Sequence, residues 1–183
     1  GVINLINDNL DELKRRSGRD IIITEVGTRR QRDDIDSSIM QNSDLMAIAA
    51  SDNVDIVIEV IGGTTLAKDV IMHAIKNGKH VVTANKALLA EHGNEIFAFA
   101  EANNVHVAYE AAVAGGIPII KVMREALAAN KIDWLAGIIN GTGNFIMTEM
   151  RDKGRPFADV LSEAQELGYA EADPTFDVEG IDA

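Results

Sequence analysis

Residues 56–83 read IVIEVIGGTTLAKDVIMHAIKNGKHVVT and place one helix between two strands. The apolar run Ile56–Ile61 predicts a buried strand, which ends at the Gly62-Gly63 pair. A helix follows and is closed by Asn77-Gly78, after which His80–Val82 forms a second strand. Strands joined through a helix run parallel, because the crossover returns the chain to the same end of the sheet. The stretch therefore predicts one unit of a parallel sheet covered by helices.

The same alternation of helix and strand continues in both directions. Upstream, apolar residues recur at helical spacing before Gly18, and residues 21–26 form a strand that ends at Gly27. Downstream, a helix around residues 88–99 leads to a strand at Val105–Tyr109. The complete pattern predicts an α/β fold with a doubly wound, Rossmann-type parallel sheet, which is the class that binds nucleotides.

The pattern changes after this last strand. We expect a dinucleotide-binding domain at residues 1–109 and an α+β substrate-binding and dimerisation region at residues 110–183. In the second region the sequence predicts a strand at Ile132–Ile139 and helices at Asn144–Arg151 and Pro156–Leu167. An irregular acidic loop follows these helices.

The start of the pattern is unusual for this class of sheet. A doubly wound sheet normally begins with a strand and a Gly-rich turn that holds the pyrophosphate of the cofactor. The first predicted element here is a helix instead. We therefore expect the 183 residues to be the middle of a longer chain, with the first strand and its turn upstream of Gly1.

Composition argues against several classes of partner. The net charge is -12, so nucleic acid is not expected, since phosphate binding needs a basic surface. No apolar run approaches the ~20 residues of a membrane-spanning helix, so no membrane association is expected either. The chain has no cysteine, which fits a cytoplasmic location, and its four histidines lack the spacing of a multivalent metal site.

Two arginines follow the strand that ends at Gly27. In a dinucleotide-binding sheet the end of this strand faces the adenosine ribose, where an acidic residue favours NAD. Arg29 and Arg30 instead offer forked donors that suit a 2′-phosphate. The pair therefore predicts cofactor binding, with NADP favoured over NAD. The alternative is that both arginines are solvated loop charges, like the neighbouring Arg32 and Asp33.

Lys86 occupies an electrostatically unfavourable position. It begins a helix just after a strand, where a positive charge opposes the helix dipole. The carboxyl ends of strands are also where ligands bind in open α/β sheets. A charge kept at such a place predicts a role beside the substrate or the nicotinamide, and the alternative is an ordinary surface lysine.

Four segments resemble the homoserine dehydrogenases, in the order and at the spacing of that family. They are VVTANK at 81–86, YEAAVAGGIP at 109–118, INGTGNFI at 139–146, and GYAEADP at 168–174 with GID at 180–182. Gly143 stands where the family usually has Thr, and Ala114 where Gly is common. The resemblance runs the whole length of the chain.

The resemblance implies an oxidoreductase that interconverts L-homoserine and L-aspartate 4-semialdehyde with NADP or NAD. This reaction belongs to threonine, methionine and isoleucine biosynthesis. The resemblance further implies a cytoplasmic homodimer that acts on a small-molecule substrate. Thr83, Lys86 and Gly168 would lie at the cofactor, and Lys86 would also be catalytic.

The acidic segment near the end of the chain carries the substrate residues that the resemblance implies. Glu171 would bind the amino group of homoserine. Asp182 would bind the substrate and serve catalysis, because it orients the substrate beside a lysine that the family has four positions further on. For Asp173 and Asp177 we expect a structural role, with each carboxylate bonded to amides of its own loop.

Glu110 ends a strand and leads into a loop rich in glycine. One carboxylate together with several backbone carbonyls suits a hard cation. The resemblance implies a monovalent cation, sodium, held by the side chain of Glu110 and the carbonyls of Val113, Gly115 and Ile117. From the residues alone, the alternative is a Gly-rich turn that enters a helix, with Glu110 hydrogen-bonded to its amides.

Two other interpretations compete with homoserine dehydrogenase. One is another NAD(P) oxidoreductase that acts on a small aldehyde, and the other is a non-catalytic fragment that serves binding or assembly. The acidic segment from Gly168 to Asp182 argues against the first, because it follows the homoserine dehydrogenase signature.

We expect the 183 residues on their own to show no dehydrogenase activity, because the Gly-rich turn and the lysine after Asp182 would both be missing. Acid–base assistance of the kind that this lysine gives contributes roughly 10²–10⁴ in rate. A spectrophotometric assay with homoserine and either cofactor measures this. Homoserine-dependent formation of reduced cofactor by these residues alone would contradict the expectation.

Overall fold

The computed structural model describes residues 1–181, which form two compact units that divide between Leu127 and Ala128. The first unit contains α1 (Val2–Asp8), α2 (Leu10–Ser17), β1 (Glu25–Gly27), β2 (Met40–Asn42), α3 (Leu45–Ala50), β3 (Ile56–Glu59), α4 (Leu66–Lys76), β4 (His80–Thr83), α5 (Lys86–Ala102), β5 (Val107–Ala108) and α6 (Ile119–Lys121), which continues as a π-helical turn to Ala126. Two 3₁₀ turns, Glu110–Ala112 and Ala114–Gly116, lie between β5 and α6. The second unit contains α7 (Gly141–Lys153), α8 (Phe157–Glu166) and α9 (Thr175–Val178). The functional division expected after residue 109 stays a prediction.

The strand pairs in the described residues are all parallel, which confirms the predicted α/β class. β1 pairs with β2, and β3, β4 and β5 form a second sheet in that order. In the pairing of β3 with β4, Val57 lies opposite Val81 and Glu59 lies opposite Thr83. The carboxyl ends of these two strands are therefore level with each other.

The core of the first unit packs helices α4 and α5 against the sheet of β3, β4 and β5. Val57 and Val81 contribute to it from the strands, while Ile71, Ile75 and Leu88 are completely buried on the helices. This packing fixes the start of α5 immediately beyond the carboxyl end of β4. The second unit has a smaller core between α7 and α8.

The strand predicted at Ile132–Ile139 is wrong, because this segment forms no strand in the structure. A strand needs a neighbour that exchanges backbone hydrogen bonds with it, and the other described elements of the second unit are helices. The apolar side chains of the segment consequently remain exposed, with Trp134 81% exposed.

Several other elements differ from the sequence prediction in length or existence. The strand predicted at residues 21–26 is formed only at Glu25–Gly27. β2 and α3 were not predicted, and α3 is stabilised by Asp44, whose carboxylate accepts from the amides of Met46 and Ala47. No helix within residues 1–181 is long and apolar enough to cross a membrane.

Candidate functional site

The carboxyl ends of β3 and β4 carry a buried hydrogen-bond network. Glu59 ends β3 and Thr83 ends β4, and they are 1% and 0% exposed. Oγ1 of Thr83 donates to Oε2 of Glu59 at 2.6 Å. The other carboxylate oxygen accepts from the backbone amides of Ile61 at 2.7 Å and Gly62 at 3.2 Å. The carboxylate therefore ties the two strands together and folds the turn after β3 back onto its strand.

Asn85 extends this network to the start of α5. Its backbone amide donates to Oγ1 of Thr83 at 3.0 Å, and its Nδ2 donates to the carbonyl of Gly63 at 2.7 Å. Its Oδ1 accepts from the amide of Leu88 at 3.1 Å, so Asn85 caps α5. Lys86 is the first residue of α5 and is thus held at the carboxyl edge of the sheet, as the sequence predicts.

Sequence reasoning singled out Thr83 and Lys86 at this edge but missed Glu59 and Asn85. The hydroxyl of Thr83 is buried and bonded to Glu59, so any contribution of this side chain to cofactor binding would run through its neighbours. Glu59 had a visible signal, as the one charged residue in the apolar run Ile56–Ile61. Asn85 could have been recognised as a favoured capping residue immediately before a helix.

Arg29 and Arg30 lie in the loop after β1, and both are exposed. Within residues 1–181 neither guanidinium forms a hydrogen bond or an ion pair. Arg32, by contrast, donates to Asp34 through Nε at 2.9 Å and Nη2 at 2.5 Å, and these bonds lower the pKa of Asp34. Gln41 fixes the loop through bonds of 2.8 Å to the amide and the carbonyl of Arg32. The loop is therefore held in place while Arg29 and Arg30 keep their donors available.

Glu110 caps α6 with both of its carboxylate oxygens. They accept from the amides of Ile120 at 3.0 Å and Lys121 at 2.8 Å. This is the arrangement that the residues alone offered as the alternative to a cation site. A carboxylate retains further acceptor positions when two amides are bound, so this arrangement is compatible both with a cation site and with a turn that binds no cation.

The loop between Glu110 and α6 contains the carbonyls predicted to bind a cation. Residues 114–116 have φ values of 55°, 51° and 92°, in the left-handed region. Val113 precedes and Ile117 follows these residues, and the carbonyl of Ile117 accepts from the amide of Ile119 at 2.8 Å. Ala114 adopts this conformation although it has a Cβ, which makes the left-handed region unfavourable for an L-amino acid.

An open pocket of about 440 Å³ lies within the second unit. The hydroxyl of Thr142 on α7 donates to the carbonyl of Tyr169 at 2.5 Å and closes one side of it. The rings of Phe145 and Tyr169 meet edge to face with centroids 5.2 Å apart. The pocket therefore combines aromatic faces with polar groups, as a small polar substrate requires. Its lining includes Asn140, Thr142, Phe145, Tyr169 and Asp177.

Asn140 connects this pocket to the start of α7. Its Oδ1 accepts from the amide of Gly143 at 2.5 Å and caps the helix, while its Nδ2 donates to Oδ1 of Asp177 at 2.8 Å. A Cβ at Gly143 would lie 3.0 Å from Oδ1 of Asn140, so glycine leaves room for this close cap. One side chain thus fixes both the helix and a pocket carboxylate.

The segment after α8 places Gly168 and Glu171, two of the predicted site residues. Gly168 has a φ of 76° and ends the helix in the left-handed conformation. Nε2 of Gln165 donates to the carbonyls of Glu171 at 3.1 Å and Ala172 at 3.3 Å. The backbone at Glu171 is therefore held, and the carboxylate of Glu171 is exposed and forms no hydrogen bond or ion pair among the residues described.

The remaining acidic residues of this segment have different roles. Asp173 accepts from the hydroxyl of Thr175 at 2.5 Å and from its amide at 3.1 Å, and these bonds lower the pKa of Asp173. This confirms the structural role expected for Asp173. For Asp177 the expected partner is wrong, because its carboxylate accepts from the side chain of Asn140 instead of amides of its own loop. Asp182 lies outside the described residues.

Two family models match consecutive parts of the chain. The NAD-binding domain of homoserine dehydrogenase matches residues 5–110, and the homoserine dehydrogenase model matches residues 118–183. The chain belongs to the homoserine dehydrogenase family. The match over residues 5–110 includes the residues of the Glu59 network and the arginine pair. The match over residues 118–183 includes the residues of the pocket beside Asp177.

Individual homoserine dehydrogenases show the same relationship. The chain is 59% identical to the homoserine dehydrogenase of Pseudomonas aeruginosa, over 100% of this chain and 42% of that protein. The crystal structure of a homoserine dehydrogenase from Thiobacillus denitrificans matches with a TM-score of 0.87 and 54% identity, over 98% of this chain and 42% of that one. A hyperthermophilic archaeal homoserine dehydrogenase in complex with NADPH matches with a TM-score of 0.69 and 28% identity, over 95% and 50%. The chain thus spans less than half the length of the Pseudomonas aeruginosa protein.

Substituting Asn140 tests the dual role of its side chain. Asn140→Ala leaves α7 without its cap, so we expect the free energy of unfolding to fall by roughly 0.5–2 kcal/mol. Asn140→Ser is the matched variant, because serine keeps a capping oxygen but is too short to replace Nδ2 at Asp177. Urea unfolding should therefore rank the stability of wild type, Asn140→Ser and Asn140→Ala in that order. Equal losses in the two variants would show that capping is not what Asn140 contributes.

Proposed function

We propose that the protein containing this chain is a homoserine dehydrogenase, which interconverts L-homoserine and L-aspartate 4-semialdehyde in threonine, methionine and isoleucine biosynthesis. The observation that carries the proposal is the match of the two homoserine dehydrogenase models over residues 5–110 and 118–183 of one chain. A match that pairs a dinucleotide-binding domain with the domain specific to this family favours this activity over that of another NAD(P) oxidoreductase.

The residues of this chain would supply position and charge to the reaction. The nicotinamide cofactor supplies the hydride chemistry when bound. Reduction of the aldehyde builds negative charge on its oxygen, which the ammonium of Lys86 would stabilise. Asp182 would orient the substrate so that a proton can be delivered to this oxygen. The cap that Asn85 provides sets where Lys86 starts α5 and so supports this role.

For the cofactor we propose a preference for NADP over NAD, with Arg29 and Arg30 at the 2′-phosphate. The support is that both guanidinium groups are exposed and unpaired within residues 1–181, next to Arg32, which is bound to Asp34. Guanidinium donors suit a phosphate in two-bond geometry. The archaeal relative in complex with NADPH is consistent with this cofactor class. Gly168 would let its backbone approach the cofactor closely.

A monovalent cation, sodium, would bind the loop after β5. Glu110 would offer a remaining carboxylate lone pair, and Val113, Gly115 and Ile117 would offer carbonyls. The left-handed conformations at residues 114–116 support this, because they turn the carbonyls of a short loop in different directions. The ion would then stiffen the connection from β5 to α6.

For the substrate we propose that Glu171 binds the amino group of homoserine. Its carboxylate is exposed, while its backbone is held by Gln165. An exposed carboxylate on a fixed backbone can accept charge-assisted hydrogen bonds from a cationic ligand. The pocket of about 440 Å³ is lined by the carboxylate of Asp177. The residues from 110 onward would form the substrate-binding and dimerisation region, residues 1–109 would form the dinucleotide-binding domain, and the enzyme would act as a cytoplasmic homodimer.

Replacing Arg29 and Arg30 together with alanine should weaken NADP far more than NAD. A hydrogen bond to a charged group contributes about 1.5–3 kcal/mol, which corresponds to roughly a tenfold to hundredfold rise in KM for NADP. Arg32→Ala is the matched control, because Arg32 is already bonded to Asp34. Steady-state kinetics of the full-length enzyme with each cofactor measure the effect. An equal loss for both cofactors would remove the arginines from the 2′-phosphate.

Glu171→Gln should raise the KM for homoserine by about tenfold or more, because one charge-assisted bond to the ammonium is lost. The KM for the cofactor should change much less. Asp173→Asn is the matched control, since this carboxylate is bonded to Thr175 within the loop. If initial rates give the same KM for homoserine in Glu171→Gln and wild type, Glu171 does not contact the substrate.

A further inference from the structure

We infer that Glu59 is a positioning residue for the cofactor edge of the enzyme. Its carboxylate sets the turn at residues 61–63 and, through Thr83 and Asn85, the start of α5 where Lys86 lies. Glu59 acts through these neighbours and touches neither substrate nor cofactor. This inference rests on the proposed function, because it assumes that a nicotinamide cofactor binds along the carboxyl ends of the strands.

The placement of Glu59 is costly unless its hydrogen bonds are made. A carboxylate that is 1% exposed has lost nearly all of its hydration, and only bound donors compensate for that loss. Val57, which lies two residues earlier on the same face of β3, is an apolar core residue. Packing at position 59 would therefore be served equally well by an apolar side chain. The reason for a carboxylate at this position is the set of hydrogen bonds that it accepts.

The turn that Glu59 holds is not supported by packing. Gly62 and Gly63 have φ values of 80° and 72°, and a Cβ built at either position meets no atom within 4 Å. Both positions thus border open space at the edge of the sheet. Their conformation depends on hydrogen bonds, namely those from Ile61 and Gly62 to Glu59 and from Asn85 to the carbonyl of Gly63. In a turn of this kind the backbone is accessible to a ligand, while its conformation is fixed by hydrogen bonds.

The second branch of the network reaches the start of α5. Thr83 can donate its hydroxyl proton to only one acceptor, and Glu59 takes it, which leaves the Thr83 oxygen free to accept from the amide of Asn85. Asn85 then caps α5 through Leu88 and Leu89, whose amides bind its side chain and its carbonyl. Loss of the acceptor at residue 59 would release the hydroxyl and loosen the segment that carries Lys86.

The test is the affinity of the full-length enzyme for NADPH, measured by fluorescence titration, together with the thermal midpoint. Glu59→Gln keeps the shape of the side chain but removes the charge and places an NH₂ group opposite Thr83, whose hydroxyl can then no longer donate to residue 59. We expect its Kd for NADPH to rise about tenfold or more, as loss of a charged hydrogen bond implies. Glu25→Gln is the matched control, because Glu25 is also a strand carboxylate bonded to a hydroxyl, that of Ser51, but begins its strand.

Substitutions at Thr83 supply an independent test if Glu59→Gln fails to fold. Thr83→Val removes the hydroxyl and should reproduce the rise in Kd, whereas Thr83→Ser should retain more affinity than Thr83→Val. The inference is overturned if the Kd of Glu59→Gln for NADPH lies within twofold of the wild-type value, even if the thermal midpoint falls. If Glu59→Gln does not fold, the Kd of Thr83→Val decides by the same criterion. A wild type that binds NADPH but does not oxidise homoserine refutes the proposed function alone, since the Kd comparison still decides the role of Glu59. A folded wild type that binds neither NADPH nor NADH refutes both, and if it binds NADH alone, the same Kd comparison with NADH decides the role of Glu59.

Discussion

The carboxylate of Glu59 is the constraint on which the cofactor edge of the first unit depends. Three donors from two neighbouring segments reach it, and it is almost completely removed from water. Because a buried carboxylate is tolerated only while its acceptors are occupied, the register of β3 with β4, the turn at residues 61–63 and the start of α5 cannot shift independently. The position of Lys86 follows from this coupling and from the packing of α5 against the sheet.

The structure also separates charges that serve the fold from charges left for ligands. Arg32 is bound by Asp34, and Asp173 is bound by Thr175. Arg29 and Arg30 at one site and Glu171 at another keep exposed charges that form no hydrogen bond or ion pair within residues 1–181, although the backbone near each is held by hydrogen bonds. A charged side chain that has no ion-pair partner and stands on a fixed backbone lowers the entropic cost of binding an ionic ligand.

The sequence predicted the fold best where local signals were long and clearly bounded. The unit from β3 to β4 was recognised because an apolar run, the Gly62-Gly63 pair, a helix of 11 residues and Asn77-Gly78 mark it. β2 is three residues long in a polar stretch and gave no such signal, and the strand at Ile132–Ile139 failed because strand formation depends on a partner. For the site, the sequence indicated single residues, such as Lys86 at the start of a helix and Arg29 after a strand, and their roles stay predictions. The bonds of Glu59 to Thr83 and of Asn140 to Asp177 depend on strand register and on tertiary contacts between elements, which no local pattern encodes.

The proposed activity is tested most directly by the initial rate of cofactor reduction by the full-length wild-type protein with L-homoserine. If the protein is a homoserine dehydrogenase that prefers NADP, reduced cofactor forms only when homoserine is present, and at a lower concentration of NADP than of NAD. The reverse reaction with L-aspartate 4-semialdehyde and NADPH should consume the reduced cofactor. A folded full-length protein that binds NADPH but reduces neither cofactor with homoserine would contradict the proposed dehydrogenase activity.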